Sequence, residues 1–223
     1  MIIQEESSGL IGNWDLILPL GLILTVDGDR TVTSFPETLD AAEYLESLPA
    51  EEIFTNQTKV RLSEMLFSRL KSLGYESETV FSTEFHIDKK EKLNKALILP
   101  STEPLLPQHS YENLTDCEPD PLGEGLLCFG TVIDGKIVSA ASENPHAPDS
   151  KVIDIGVETA EGFTGHGYAA SNIASLAYYL LDPGISVTYI AEDQNIPSLR
   201  IAEKVGFTRN VRELRVVCEK RQQ

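Results

Sequence analysis

Positive charge is scarce in this chain: 18 Lys and Arg stand against 35 Asp and Glu, for a formal net charge of −17. That scarcity argues against a nucleic-acid partner, because neutralising a phosphate backbone needs clustered Lys and Arg. Long apolar runs are also missing. The longest, "LILPLGLILTV", is broken by Pro19 and Gly21 and falls short of the roughly 20 residues that span a bilayer. The opening "MIIQEESSG" has no basic region of the kind that begins a signal peptide. The expectation is a cytoplasmic protein with no membrane partner. Cysteine is sparse, and Cys117, Cys128 and Cys218 are odd in number and scattered, which suits a reducing compartment and gives neither a disulfide framework nor a zinc pattern. His86, His109, His146 and His166 likewise lack ligand spacing, so no metal is expected.

The charge is uneven as well as negative. Residues 1–58 carry eleven acidic groups and the single basic Arg30, whereas residues 195–223 carry seven basic groups and three acidic ones. A solvated acidic surface explains the first half without any function. A cationic substrate is the functional alternative.

Two Asp-Gly pairs, Asp27-Gly28 and Asp134-Gly135, separate strand-like runs and mark hairpin turns. Between them, Pro36 opens a helix through Leu39, Ala42, Leu45 and Leu48 that stops at Pro49. A second helix, near residues 58–73, shows Leu62, Leu66 and Leu70 four apart, with Met65 and Leu73 widening the stripe and Gly74 as stop signal. Pro100, Pro104, Pro107, Pro119 and Pro121 are too many for a regular element, so residues 100–121 are expected to be a connector. It divides an N-terminal α+β domain, 1–105, from a second domain, 106–223. Beyond it the expected order is strand, Asp-Gly turn, strand, loop, strand, glycine turn, helix, strand, helix, strand.

The glycine turn carries the chemistry. "KVIDIGVET" alternates like a strand, and Ala169, Ala170, Ile173, Ala174, Ala177, Leu180 and Leu181 follow the spacing of a helix with one buried face. Gly165 and Gly167 therefore lie at a strand-to-helix turn, where free backbone N–H groups and the helix dipole hold an anion such as phosphate. "GFTGHG" does not end in the Gly-Lys-Ser/Thr of a P-loop. The antiparallel hairpin before it does not suit a doubly wound dinucleotide fold.

The stretch Gly162-Phe163-Thr164-Gly165-His166-Gly167 resembles the acyl-CoA-binding motif of the GNAT N-acetyltransferases. About thirty residues on, "AEDQNIPSLRIAEKVGF" resembles the family's second signature, with Asn195 and Ser198 opening a helix and Lys204, Gly206 and Phe207 closing it. The resemblance covers residues 126–217, and "FTGHGYAASNIASL" is most similar to the group that includes zwittermicin A resistance acetyltransferases. It implies an α+β fold, the GNAT acyl-CoA N-acyltransferase fold, in which a mixed, mostly antiparallel sheet carries helices on both faces. The strand and two helices that normally precede the hairpin have little room in residues 101–125, so either they are reduced or residues 1–100 supply them.

The implied activity is acetyl-CoA-dependent transfer of an acetyl group to the primary amine of a small, cationic molecule, with a homodimer as an open further partner. On this resemblance Val157 to Thr159 offer backbone to pantetheine as an added strand, and Thr164, Gly165, His166, Gly167, Tyr168 and Ala169 cradle the pyrophosphate. Asn195 and Ser198 orient the pantetheine arm, although helix capping accounts for them equally. Gly162 and Thr164 replace cations common in the family. Glu158 is the first candidate for the base that collects the ammonium proton, on the strand face opposite Ile153, Ile155 and Val157. Glu192 is second, with Glu143 and His146 further possibilities. The tyrosine that protonates the thiolate in many relatives corresponds to Ala202, and Tyr168 and Tyr189 are not obvious substitutes. A non-catalytic acyl-CoA-binding or interaction module therefore stays open as the alternative.

Overall fold

The computed structural model describes residues 2–4, 22–27, 29–34, 39–72, 75–106, 114, 126–144, 147 and 149–220. Gly28, Pro36, Leu73, Gly74, His146 and Pro107, Pro119 and Pro121 of the expected connector lie outside them. Two compact units are present. The first comprises Met1–Thr83, Glu192–Gln194 and Val211–Gln223, and the second comprises Glu84–Ala191 and Asn195–Asn210.

In the first unit, strands β1 (Ile2–Gln4), β2 (Leu22–Asp27) and β3 (Asp29–Ser34) are followed by helices α1 (Leu39–Ser47), α2 (Ala50–Ile53) and α3 (Asn56–Ser72). Strand β4 (Tyr75–Ile87) begins here, and β10 (Thr208–Lys220) ends here. The register Asp27↔Asp29 closes the first hairpin as its Asp-Gly pair foretells. Every third or fourth position of the helices points inward: Ala41, Ala42 and Leu45 of α1 and Leu62 and Leu66 of α3 are buried with Ile53, Leu214 and Val216.

The second unit is built on β5 (Thr102–Pro104), β6 (Cys128–Ile133), β7 (Lys136–Glu143), β8 (Val152–Thr159) and β9 (Ser186–Glu192), with α4 (Tyr168–Leu180) and α5 (Ile196–Val205). The strands stand in the order β10-β4-β9-β8-β7-β6-β5. Pairing is antiparallel from β5 through β8 and parallel between β8 and β9. At the β6–β7 turn, Asp134 (φ 50°) and Gly135 (φ 76°) both take the left-handed backbone of a primed hairpin turn. From β6 onward the order of elements is the one read from the sequence.

Helix α4 is buried almost all round. Ile173, Ala174, Leu176 and Ala177 meet Ile153 and Ile155 of β8 and Val187 of β9 in one core. Two of its three buried polar residues are tied down, Ser175 being the one whose hydroxyl lacks a partner among the described residues: Asn172 Nδ2 donates to Ser139 O (3.0 Å), and Ser171 Oγ accepts from Leu99 N (2.8 Å) and bonds Thr102 Oγ1 (2.6 Å). These bonds offset the cost of burying amide and hydroxyl groups and fix α4 to β5 and β7.

One feature departs from expectation and another bears on an alternative left open. The proline-rich segment holds a strand, β5, which tolerates Pro104 because it pairs on one side only, at the sheet edge. Phe85, Ile87 and Leu93, all ahead of residue 105, are buried in the second unit's core. Residues before the proline-rich stretch thus contribute to the second unit's core.

Candidate functional site

Strands β8 and β9 begin as partners and then part. Their paired register runs from Val152↔Ser186 to Asp154↔Thr188 and stops, while β8 continues to Thr159. On its other edge β8 stays bonded to β7, with Asn144 N donating to Asp154 O (2.9 Å) and Ala160 N to Val138 O (2.9 Å). Successive residues of a strand direct their N–H and C=O to opposite sides. Positions 154, 156, 158 and 160 therefore face β7, and Val157 and Thr159 turn their backbone groups toward the side where β9 has left.

The chain then makes the glycine turn. Gly162, Gly165 and Gly167 have φ of 85°, 80° and 85°, a region that residues with a Cβ rarely enter. A Cβ built on any of the three meets nothing within 4 Å, so the protein itself does not require their smallness. Gly167 is the N-cap of α4 and offers no side chain to it. The first intrahelical bond comes from Ser171 N to Gly167 O (3.0 Å), which leaves the N–H groups of Tyr168, Ala169 and Ala170 without a helical acceptor.

Between this turn and α5 lies an open cleft of about 450 Å³. Of the residues singled out from sequence, Val157, Thr159, Thr164, Gly165, Gly167, Tyr168, Ala169 and Ser198 line it. His166 does not: its ring stacks on Tyr168 (centroids 5.4 Å apart, 10° between planes), and Nδ1 lies 3.0 Å from Thr164 O. A carbonyl only accepts, so Nδ1 is the donor in this contact and is turned away from the cleft. Asn195 caps α5, its Oδ1 accepting from Ser198 N (3.2 Å).

The carboxylates differ in setting. Glu158 is half-buried on the strand face opposite the buried Ile153 and Ile155. Glu192 is exposed at the end of β9 and counts with the first unit. Glu143 is buried, and its Oε2 accepts from Leu127 N (2.9 Å), so it has a structural partner. Beside the cleft wall, burial pushes the Tyr189 phenol above its ordinary value, with the Ser198 hydroxyl opposing and the Asp154 charge adding. Ala202 is fully buried. Among the described residues no cluster of His, Cys, Asp or Glu forms a metal-holding group.

On the far wall only Ser198 is expected from the sequence. Pro197, Arg200, Ile201 and Lys204 of α5 complete the cleft. Their spacing within one helix was visible, but which face turned to the glycines was not.

These features can be set beside known proteins. No family model matches the chain, nor does any curated protein. Solved structures do. A GNAT-family protein from Novosphingobium aromaticivorans, named as an acetyltransferase, is 19% identical over 67% of this chain and 69% of its own, with a TM-score of 0.53. A GCN5-related N-acetyltransferase-like protein from Streptococcus suis is 24% identical over 74% and 69%, also at 0.53. The chain has the GNAT acetyltransferase fold. In this GNAT-fold protein, the parting strands and the glycine turn that follows them form one wall-and-floor arrangement in the second unit. Among the described residues, no helix is long and apolar enough to cross a membrane.

Proposed function

We propose that the chain is an acetyl-CoA-dependent N-acetyltransferase, of the zwittermicin A resistance-like group, acting on the primary amine of a small cationic molecule. One observation carries the cofactor reading: the unpaired backbone of Val157 and Thr159 leads directly to an uncapped helix N-terminus floored by glycines. Pantetheine amides suit the first as an added strand, and a pyrophosphate suits the second. Space where a Cβ would stand fits a ligand that needs close backbone approach. Ser198 lines the cleft for the pantetheine arm, and Asn195 orients the helix that carries Ser198.

Bound acetyl-CoA supplies an electrophilic carbonyl and a thiolate leaving group. Glu158 is the proposed base, with Glu192 as second candidate. In that role Glu158 takes the proton from the acceptor ammonium, whose ordinary pKa is about 10.4, and so frees the nitrogen lone pair that attacks. The second proton that the nitrogen sheds as the amide forms and the C–S bond breaks passes through water to the thiolate. The excess of acid in residues 1–58 favours a cationic acceptor through long-range attraction that weakens with salt.

A second reading rests on Ala202. At the position where many relatives carry a tyrosine acid, this chain buries a methyl group, which supports a non-catalytic acyl-CoA-binding module. A thiol-release assay with acetyl-CoA and a panel of primary amines separates the two. The enzyme reading expects turnover on a cationic amine that falls about 10²–10⁴-fold in Glu158→Gln at neutral pH, with acetyl-CoA affinity retained. Acetyl-CoA binding without turnover on any amine supports the module.

A further inference from the structure

The cleft's charge opposes that of the chain. In a protein of formal net charge −17, no carboxylate lines the cleft, and its two ionisable wall residues on α5 are Arg200 and Lys204. Four apart on a helix, they share one face. Both are exposed, and among the described residues neither forms an ion pair. Nearby acid does not reach them: Glu203, between them in sequence, is held by Arg209 (Nη2–Oε1 2.9 Å). Elsewhere Lys59, Arg61, Lys90, Lys92, Arg212 and Arg215 find carboxylates, whereas Lys89, Lys136 and Lys151, none of them in the cleft, form no ion pair among the described residues either. Two unpaired cations side by side on an exposed face repel each other, and an anion between them and the turn relieves that repulsion.

The opposite wall explains why the charge is needed there. The turn that faces α5 contributes only neutral groups, Thr164, Gly165 and Gly167. Gly162 at φ 85° cannot become a cationic residue without backbone strain. We propose that Arg200 and Lys204 are the cationic half of the phosphate site, so that α5 adds to the glycine turn's neutral donors the charge that makes the site selective for CoA thioesters over the same acyl group on phosphate-free pantetheine. This inference rests on the acetyl-CoA reading above.

The test uses the full chain and calorimetric titration with two probes, acetyl-CoA and S-acetylpantetheine. The double variant Arg200→Gln, Lys204→Gln changes exposed positions, and a thermal melt checks that it folds. Its affinity for acetyl-CoA should fall about 10–100-fold, with a flatter salt dependence, while its affinity for S-acetylpantetheine stays unchanged. Adding Thr164→Arg to the double variant should restore part of the lost acetyl-CoA affinity, because a cation then returns to the cleft from the other wall. An unchanged preference between the two probes in the double variant overturns the inference and leaves the acetyl-CoA reading standing. Wild-type protein that binds neither probe overturns both.

Discussion

Two glycines flank the helices of the site, and their backbones make the same demand. Gly167 opens α4 at φ 85°, and Gly206 closes α5 at φ 111°. Their surroundings are opposite. A Cβ on Gly206 would lie 2.2 Å from Lys92 O, whereas one on Gly167 meets nothing within 4 Å. Gly206 also donates its N–H to Ala202 O and Glu203 O at 3.2 Å, as a glycine that ends a helix does. The comparison teaches that glycine in the left-handed region is a stability residue where backbone presses on it, and a candidate binding residue where space has been left over it.

Substitution breaks the comparison most sharply at Gly206. Gly206→Ala should cost about 2–5 kcal/mol of stability, from backbone strain plus collision with a carbonyl that cannot step aside, and chemical denaturation measures it. Gly167→Val should cost less, about 1–3 kcal/mol. Its larger effect should appear in calorimetry, as a loss of acetyl-CoA affinity of at least about 100-fold, equivalent to about 2.7 kcal/mol. Normal binding by that variant would return the turn to scaffold. Asn195→Ala should remove about 1 kcal/mol by uncapping α5, while Asn195→Ser keeps a cap without adding charge, so an affinity change in the Ser variant at unchanged stability reports a contact with the ligand.

The smallest effect concerns pH. Because burial raises the Tyr189 phenol above 10.0, folding favours its neutral form. That contribution is whole below pH 10 and is lost as pH rises through the raised value. Tyr189→Phe should therefore flatten the alkaline limb of a stability–pH curve and leave the neutral region unchanged apart from lost packing.

The site's floor was legible in the sequence because its signals are local. Ile153, Ile155 and Val157 alternate, Ala170, Ile173, Ala174 and Ala177 repeat at helical spacing, and Gly165 and Gly167 fall between the two patterns. What required tertiary information was harder to see. Strand β4 mixes Glu, Ser and Thr with its apolar residues, and only packing reveals that Phe85 and Ile87 reach the second unit's core. Strand β5 hides among prolines because an edge strand needs only one row of bonds. The sequence does not single out Arg200, and it shows Lys204 only as closing a helix, because neither reveals there that it faces the glycine turn across the cleft.

If β8 and the turn after it form a backbone site for an acyl-CoA, their amides must change when the ligand binds. Hydrogen–deuterium exchange of the full chain, with and without saturating acetyl-CoA, tests it most directly. Protection is predicted at the amides of Val157 and Thr159 and across residues 164–170, with none at the Asp134-Gly135 turn. Saturable acetyl-CoA binding that left those amides exchanging as before would contradict it.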